Sequence, residues 1–118
     1  MAHRISGKAA ICGLGMTEMG RVYRSATDLA TEAVFLALQD AGLDKSQLDG
    51  LLINCGTTRN VNLGLHRNLG LQELNVLTFM QGFGSSAGQM IQYAAMAVEN
   101  GMADYICCVF ADDPLQEG

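Results

Sequence analysis

The chain has 118 residues, 49% of them apolar, which is enough for one packed core and for no more than one small domain. Its formal charge of −5, from 7 basic and 12 acidic side chains with no basic cluster, argues against binding to nucleic acid or an anionic lipid surface. No apolar run approaches the roughly 20 residues that span a bilayer, and Met1-Ala2-His3-Arg4 leads into a strand pattern without a signal-peptide core, so a cytoplasmic protein is expected.

In chain order, residues 8–13 (Lys-Ala-Ala-Ile-Cys-Gly) read as a short buried strand that runs into Gly13-Leu14-Gly15, a turn signal. Ser25-Ala26-Thr27-Asp28 opens a helix, with a short side chain to cap free N–H groups and an acid in the first turn. Leu29, Ala33, Leu36, Ala37 and Ala41 recur at helical spacing, and Gly42 supplies the stop. Asp49-Gly50 leads into a second strand at 51–55, and 56–62 is a polar loop. Residues 63–69 predict a short helix ended by Gly70, and 74–80 a third strand. A small-residue turn, Gly82-Phe83-Gly84-Ser85-Ser86-Ala87-Gly88, precedes a helix over 89–100. That helix carries Met90, Ile91, Ala94, Ala95 and Val98 on one face. A fourth strand at 105–110 is broken by Asp112-Asp113-Pro114.

The order β-α-β-α-β-α-β predicts a layered α/β half-domain with a mixed, mostly parallel sheet and no internal boundary over 1–118. An α/β sheet would usually cover the last strand with a further helix, so more chain is expected to complete the fold.

Two glycine patterns invite chemistry. Gly13-Leu14-Gly15 after a strand suggests a dinucleotide fingerprint, but Glu18 occupies the place of the third glycine and no helix follows at once. A tight turn is the better reading, and a nucleotide-binding module rests on these residues alone. The second pattern, at 82–88, places a sharp bend before a long helix, whose free N–H groups favour negative charge. Gly82, Gly84, Ser85 and Ser86 are the candidate substrate-binding residues, and the pattern equally suits a tight strand-to-helix turn packed on a neighbour. His66, beside Arg67, reads as a partly exposed polar residue. Asp112 and Asp113 read as turn residues rather than an acid–base pair. Cys12, Cys55, Cys107 and Cys108 form no C-x-x-C and lie on predicted strands, so buried reduced thiols are expected and no metal site.

The segments together resemble the thiolase superfamily, in particular the sterol-carrier-type thiolases and thiolase-like lipid-transfer proteins, over their N-terminal part. The resemblance is carried by five stretches in the same order. These are Ala9-Ala10-Ile11-Cys12-Gly13-Leu14-Gly15-Met16-Thr17-Glu18, Asp28-Leu29-Ala30, Ala37-Leu38-Gln39-Asp40-Ala41-Gly42-Leu43, Gln47-Leu48-Asp49-Gly50-Leu51, and Ala97-Val98-Glu99-Asn100-Gly101-Met102-Ala103-Asp104. It implies a subunit that makes or breaks carbon–carbon bonds in acyl-CoA thioesters, a role in lipid metabolism such as β-oxidation, and a CoA thioester as substrate with no permanently bound cofactor.

It also implies a nucleophilic cysteine at the start of the central helix, where this sequence has Gly84. Glycine cannot carry an acyl group. Ser85 and Ser86 are the candidate substitutes, and an alcohol there needs a general base within reach. The family's other catalytic residues have no counterpart in this chain, so the chain alone is expected to be inactive and its site completed elsewhere. The family's dimers imply pairing of the strand before that helix, here Leu74, Val76, Thr78 and Met80, in a homodimer or hetero-oligomer. Some relatives without the nucleophile imply retro-aldol cleavage, or a small zinc-containing OB-fold partner. A non-catalytic scaffold or acyl-binding subunit is the alternative.

Overall fold

The computed structural model describes residues 9–20, 23–71, 73–81 and 85–114. Its elements are α1 (Ala26–Ala41), a 3-10 turn (Lys45–Gln47), β1 (Gly50–Asn54), α2 (Leu65–Leu69), β2 (Val76–Phe79), α3 (Ser86–Glu99) and β3 (Ile106–Phe110).

α1 begins where the sequence signals it. The Ser25 hydroxyl accepts from the Asp28 N–H at 3.1 Å, and Gly42 closes the helix in the left-handed region at φ 72°. Ala26, Ala30, Val34 and Leu38, spaced by four, form its buried stripe. α2 stops at Gly70, also left-handed at φ 73°.

The three strands pair in parallel in the order β2-β1-β3, so β1 is central and buried along its whole length. Side chains alternate between the faces. Leu51, Ile53 and Val109 pack with α1 and α2 on one side; Leu52, Val76 and Ile106 pack with Met90 and Ala97 of α3 on the other. Full burial of Leu51, Leu52 and Ile53 contributes on the order of 2 kcal/mol each. The result is three layers with helices on both faces, as parallel sheets require.

Asp49 ties the amino ends of the strands together. Its carboxylate accepts from the N–H groups of Asp104 at 3.0 Å and Tyr105 at 2.8 Å, and its carbonyl accepts from Asn75 at 2.8 Å and Val76 at 3.2 Å. Gly50 follows because a Cβ there would sit 2.6 Å from Cγ1 of Ile106.

Three expectations need correction. Residues 9–13 are not a strand. They pair with none of the three described strands and lie against α1, where a Cβ on Gly13 would sit 2.5 Å from the Ala37 carbonyl and one on Gly15 2.3 Å from that of Ala33. The two glycines therefore let the chain approach the helix, and Ile11 and Cys12 face solvent. The three described strands are all parallel, in keeping with the expected mostly parallel sheet. α3 starts at Ser86, not 89, and its buried stripe is Ser86, Met90 and Ala97, which leaves Ile91 exposed. Of the strand residues Leu74, Val76, Thr78 and Met80, only Val76 and Thr78 lie within β2, which forms one edge of the described sheet.

Candidate functional site

Parallel strands bring several loops to one end of the sheet, and here the carboxyl ends of β1 and β3 gather the polar residues. Asp112 follows β3 by two residues and faces the loop after β1. Its carboxylate accepts from the N–H and hydroxyl of Thr57 at 2.8 and 2.9 Å, from the Thr58 N–H at 3.0 Å, and from the Thr58 hydroxyl. Burial pushes the Asp112 carboxyl up, but these bonds outweigh it and hold the group at about 2. Asp113 is buried and accepts from the Asn60 amide at 2.7 Å and the Ala26 N–H at 3.1 Å, the latter at the start of α1. Burial raises its carboxyl and neighbouring Asp112 opposes ionisation, yet Thr58, Asn60 and Ala26 bring it below the ordinary range.

Both aspartates are therefore ionised and fully used as acceptors in a clamp, so neither is poised to take a proton. Gly56 is required beside them: its φ is 67°, and a Cβ would lie 2.4 Å from Oδ2 of Asp112.

The same end holds the strand-to-helix bend. Asn54, the last residue of β1, is buried and donates its amide to the Met80 carbonyl at 2.7 Å, Gln81 Oε1 at 3.1 Å and the Ser86 hydroxyl at 3.2 Å. Gln81 in turn donates to the Gly56 carbonyl at 3.2 Å, which couples the bend to the loop held by Asp112. Of the residues singled out at the bend, Gly82 and Gly84 lie outside the described residues. Ser86 is buried and receives the Asn54 amide; Ser85 is exposed and receives the Gln89 amide at 2.9 Å. An amide has no basicity, so these two bonds orient the alcohols without activating them.

The other candidates fall away from this centre. His66 sits on α2, half-buried, its Nδ1 2.7 Å from the Leu63 carbonyl. Cys55 is buried as expected, whereas Cys12 and Cys108 are exposed residues and Cys107 is half-buried. Burial, with adjacent Cys108 as a further cause, pushes the Cys107 thiol up to about 12; burial pushes the Cys108 thiol, 3.7 Å from the Met90 carbonyl, up to about 11. Both stay protonated at neutral pH and are poor nucleophiles. Among the described residues, no group of three His, Cys, Asp or Glu side chains is placed to hold a metal, and no helix is long and apolar enough to cross a membrane.

Between the clamped loop and the end of β2 lies a shallow groove of about 370 Å³, lined by Arg59, Val61, Asn62, Leu63 and Phe79. Sequence reasoning missed Arg59, Asn54 and Gln81. The available signal was two polar pairs, Thr57-Thr58 and Asp112-Asp113, each just beyond a parallel strand and so bound to meet.

No protein-family model matches the chain. Two curated relatives do. It is 39% identical over 105 residues to a steroid side-chain-cleaving aldolase of Thermomonospora curvata, covering 88% of this chain and 27% of that protein. It is 40% identical over 103 residues to the 17-hydroxy-3-oxo-4-pregnene-20-carboxyl-CoA lyase of Mycobacterium tuberculosis, covering 86% and 26%. Among solved structures, an Ltp2-ChsH2(DUF35) aldolase superposes with a TM-score of 0.85 at 36% identity, over 98% of this chain and 30% of that one. A monomeric SCP2-thiolase-like protein of Mycobacterium smegmatis superposes with a TM-score of 0.65 at 23% identity, over 85% and 22%.

The fold is thiolase-like. The chain spans about a quarter of the length of the curated relatives it matches. The polar cluster of Asn54, Gln81 and Ser86 links the end of β1 to the start of α3.

Proposed function

We propose that this chain contributes the β1/β3 carboxyl end of a carbon–carbon lyase that cleaves β-hydroxyacyl-CoA thioesters by a retro-aldol route. The observation that carries the reading is the likeness to two proteins named as an aldolase and a CoA lyase; it agrees with the thiolase resemblance, which would put Gly84 where a nucleophilic cysteine is expected. Retro-aldol chemistry needs no acyl-enzyme. A base takes the β-hydroxyl proton, the Cα–Cβ bond breaks as the carbonyl forms, and the electron pair passes to the thioester enolate, which is then protonated. The positive end of the α3 dipole suits the enolate oxygen. The base comes from outside this chain.

The reading includes a CoA thioester as substrate, no permanently bound cofactor, and a cytoplasmic location. It also includes a partner, in line with the double name of the solved aldolase. A small zinc-containing OB-fold protein is the proposed second polypeptide, and the β2 edge, with Leu74, Val76, Thr78 and Met80, is the proposed seam to a second thiolase-like subunit.

The test is to incubate the complete protein, alone and with such a partner, with the CoA thioester named for the mycobacterial relative and to follow products by mass spectrometry. A carbonyl compound and a shortened acyl-CoA, formed without added free CoA, are expected. Products that require free CoA would mean thiolytic cleavage instead. Binding without turnover would leave a non-catalytic acyl-binding subunit.

A further inference from the structure

We propose that the groove beside Arg59 seats the phosphate-bearing arm of the acyl-CoA, with the Arg59 guanidinium on a phosphate and the exposed Leu63 and Phe79 against the arm that runs to the thioester. This rests on the acyl-CoA reading above and adds the residue that grips the anion.

Arg59 sits at φ 58°, a left-handed conformation that side chains of its size rarely adopt. The loop enforces it. Thr57 and Thr58 on one side are bound to Asp112, and Asn60 on the other is bound to Asp113. A segment held this firmly around a strained residue is characteristic of a site in which that residue's direction matters.

Two carboxylates lie close by, and Arg59 pairs with neither. Their oxygens are taken up by threonine, asparagine and backbone donors. Among the described residues the Arg59 side chain has no ion pair or hydrogen bond, so its five N–H donors stay available in an exposed position. A guanidinium is suited to bidentate recognition of phosphate.

The location agrees. The groove opens at the carboxyl end of a parallel sheet, where α/β folds bind ligands. The bond from Gln81 to the Gly56 carbonyl joins the loop to the bend before α3, so an arm in the groove leads toward the reacting centre. With a net charge of −5, the chain as a whole repels a phosphate, so binding requires a fixed local cation.

The test is calorimetric titration of the complete protein with three ligands: hexanoyl-CoA, the hexanoyl thioester of pantetheine, which has no phosphate, and dodecyl phosphate. Arg59→Ala is expected to weaken hexanoyl-CoA and dodecyl phosphate about tenfold and to leave the pantetheine thioester unchanged. Arg59→Gly is expected to lose the same affinity without lowering the melting temperature, because glycine relieves the left-handed strain; Arg59→Lys should recover part of the binding.

Equal weakening of the pantetheine thioester would overturn the proposal in favour of a packing role. Hexanoyl-CoA bound equally by wild type and Arg59→Ala would also overturn it, and would leave the acyl-CoA reading standing. Arg59-dependent binding of dodecyl phosphate without binding of hexanoyl-CoA would keep the anion groove and remove the acyl-CoA reading. Binding of none of the three would remove both.

Discussion

The two ends of the parallel sheet are held by the same chemistry and put to different use. At the amino end, the Asp49 carboxylate accepts from the backbone N–H groups of Asp104 and Tyr105, and β2 and β3 are drawn to β1. At the carboxyl end, Asp112 and Asp113 take donors from Thr57, Thr58 and Asn60 side chains as well as from the backbone. The loop they fix displays Arg59 beside a groove. A carboxylate that collects strand amides closes an edge. One that collects the side chains of a loop builds a platform, because the loop's remaining residue is left pointing outward.

The largest expected effect breaks the platform at Gly56. Gly56→Ala places a methyl 2.4 Å from Oδ2 of Asp112 at a φ of 67°, so either the loop or the carboxylate must move. Destabilisation of about 3 kcal/mol is expected from the urea midpoint. An unchanged midpoint would mean that Asp112 swings aside freely and the loop is not clamped. Next comes the amino end. Asp49→Ala strips the carboxylate from two backbone donors and should cost about 2 kcal/mol. Hydrogen exchange in residues 57–60 and affinity at the Arg59 groove should not change. A fall in that affinity would show that the two ends act as one unit.

Acid tests the carboxyl end directly. Asp112 is held at about 2 against an ordinary value of 3.8, so it contributes stability above 3.8 that is lost as pH falls through about 2. Asp112→Asn should melt a few degrees lower than wild type at neutral pH, an effect of roughly 1 kcal/mol. The two melting curves should converge between about pH 4 and pH 2. Parallel curves over that range would show that the charge of Asp112 is not what holds the loop.

The elements with strong local signals were legible in the sequence. Ser25 and Gly42 bracket α1, Gly70 ends α2, and the apolar run Leu51, Leu52, Ile53 is the buried central strand. The segment at 9–13 was misread because an apolar run ending in glycine looks the same whether its partner is a strand or a helix. Only the packing against Ala33 and Ala37 decides between them. The bend before α3 carries a sequence signal, a run of small residues ahead of a helix, but its supports do not. Asn54 and Gln81 act across distances of 25 to 32 residues, and no local periodicity encodes that. Arg59 was invisible for a related reason. A single arginine in a polar loop carries no signal until Asp112 and Asp113, more than 50 residues away, fix its neighbours.

The smallest expected effect is at Ser86, and it bears most directly on mechanism. The Asn54 amide has two hydrogens and three acceptors within reach: the Met80 carbonyl at 2.7 Å, Gln81 Oε1 at 3.1 Å and the Ser86 hydroxyl at 3.2 Å. The serine oxygen is the most distant of the three, so removing it leaves both hydrogens with a partner. Ser86→Ala should therefore cost less than about 1 kcal/mol in stability. Asn54→Ala, by contrast, withdraws the shared donor from buried acceptors and should cost more. If the complete protein cleaves its thioester by the retro-aldol route, Ser86→Ala also keeps most of its kcat, because no acyl group is ever carried by that oxygen. A nucleophile would behave differently: its loss removes turnover by several orders of magnitude while the fold survives. A stable Ser86→Ala protein with no activity would therefore restore covalent catalysis to this bend and make Asn54 the group that orients the attacking alcohol.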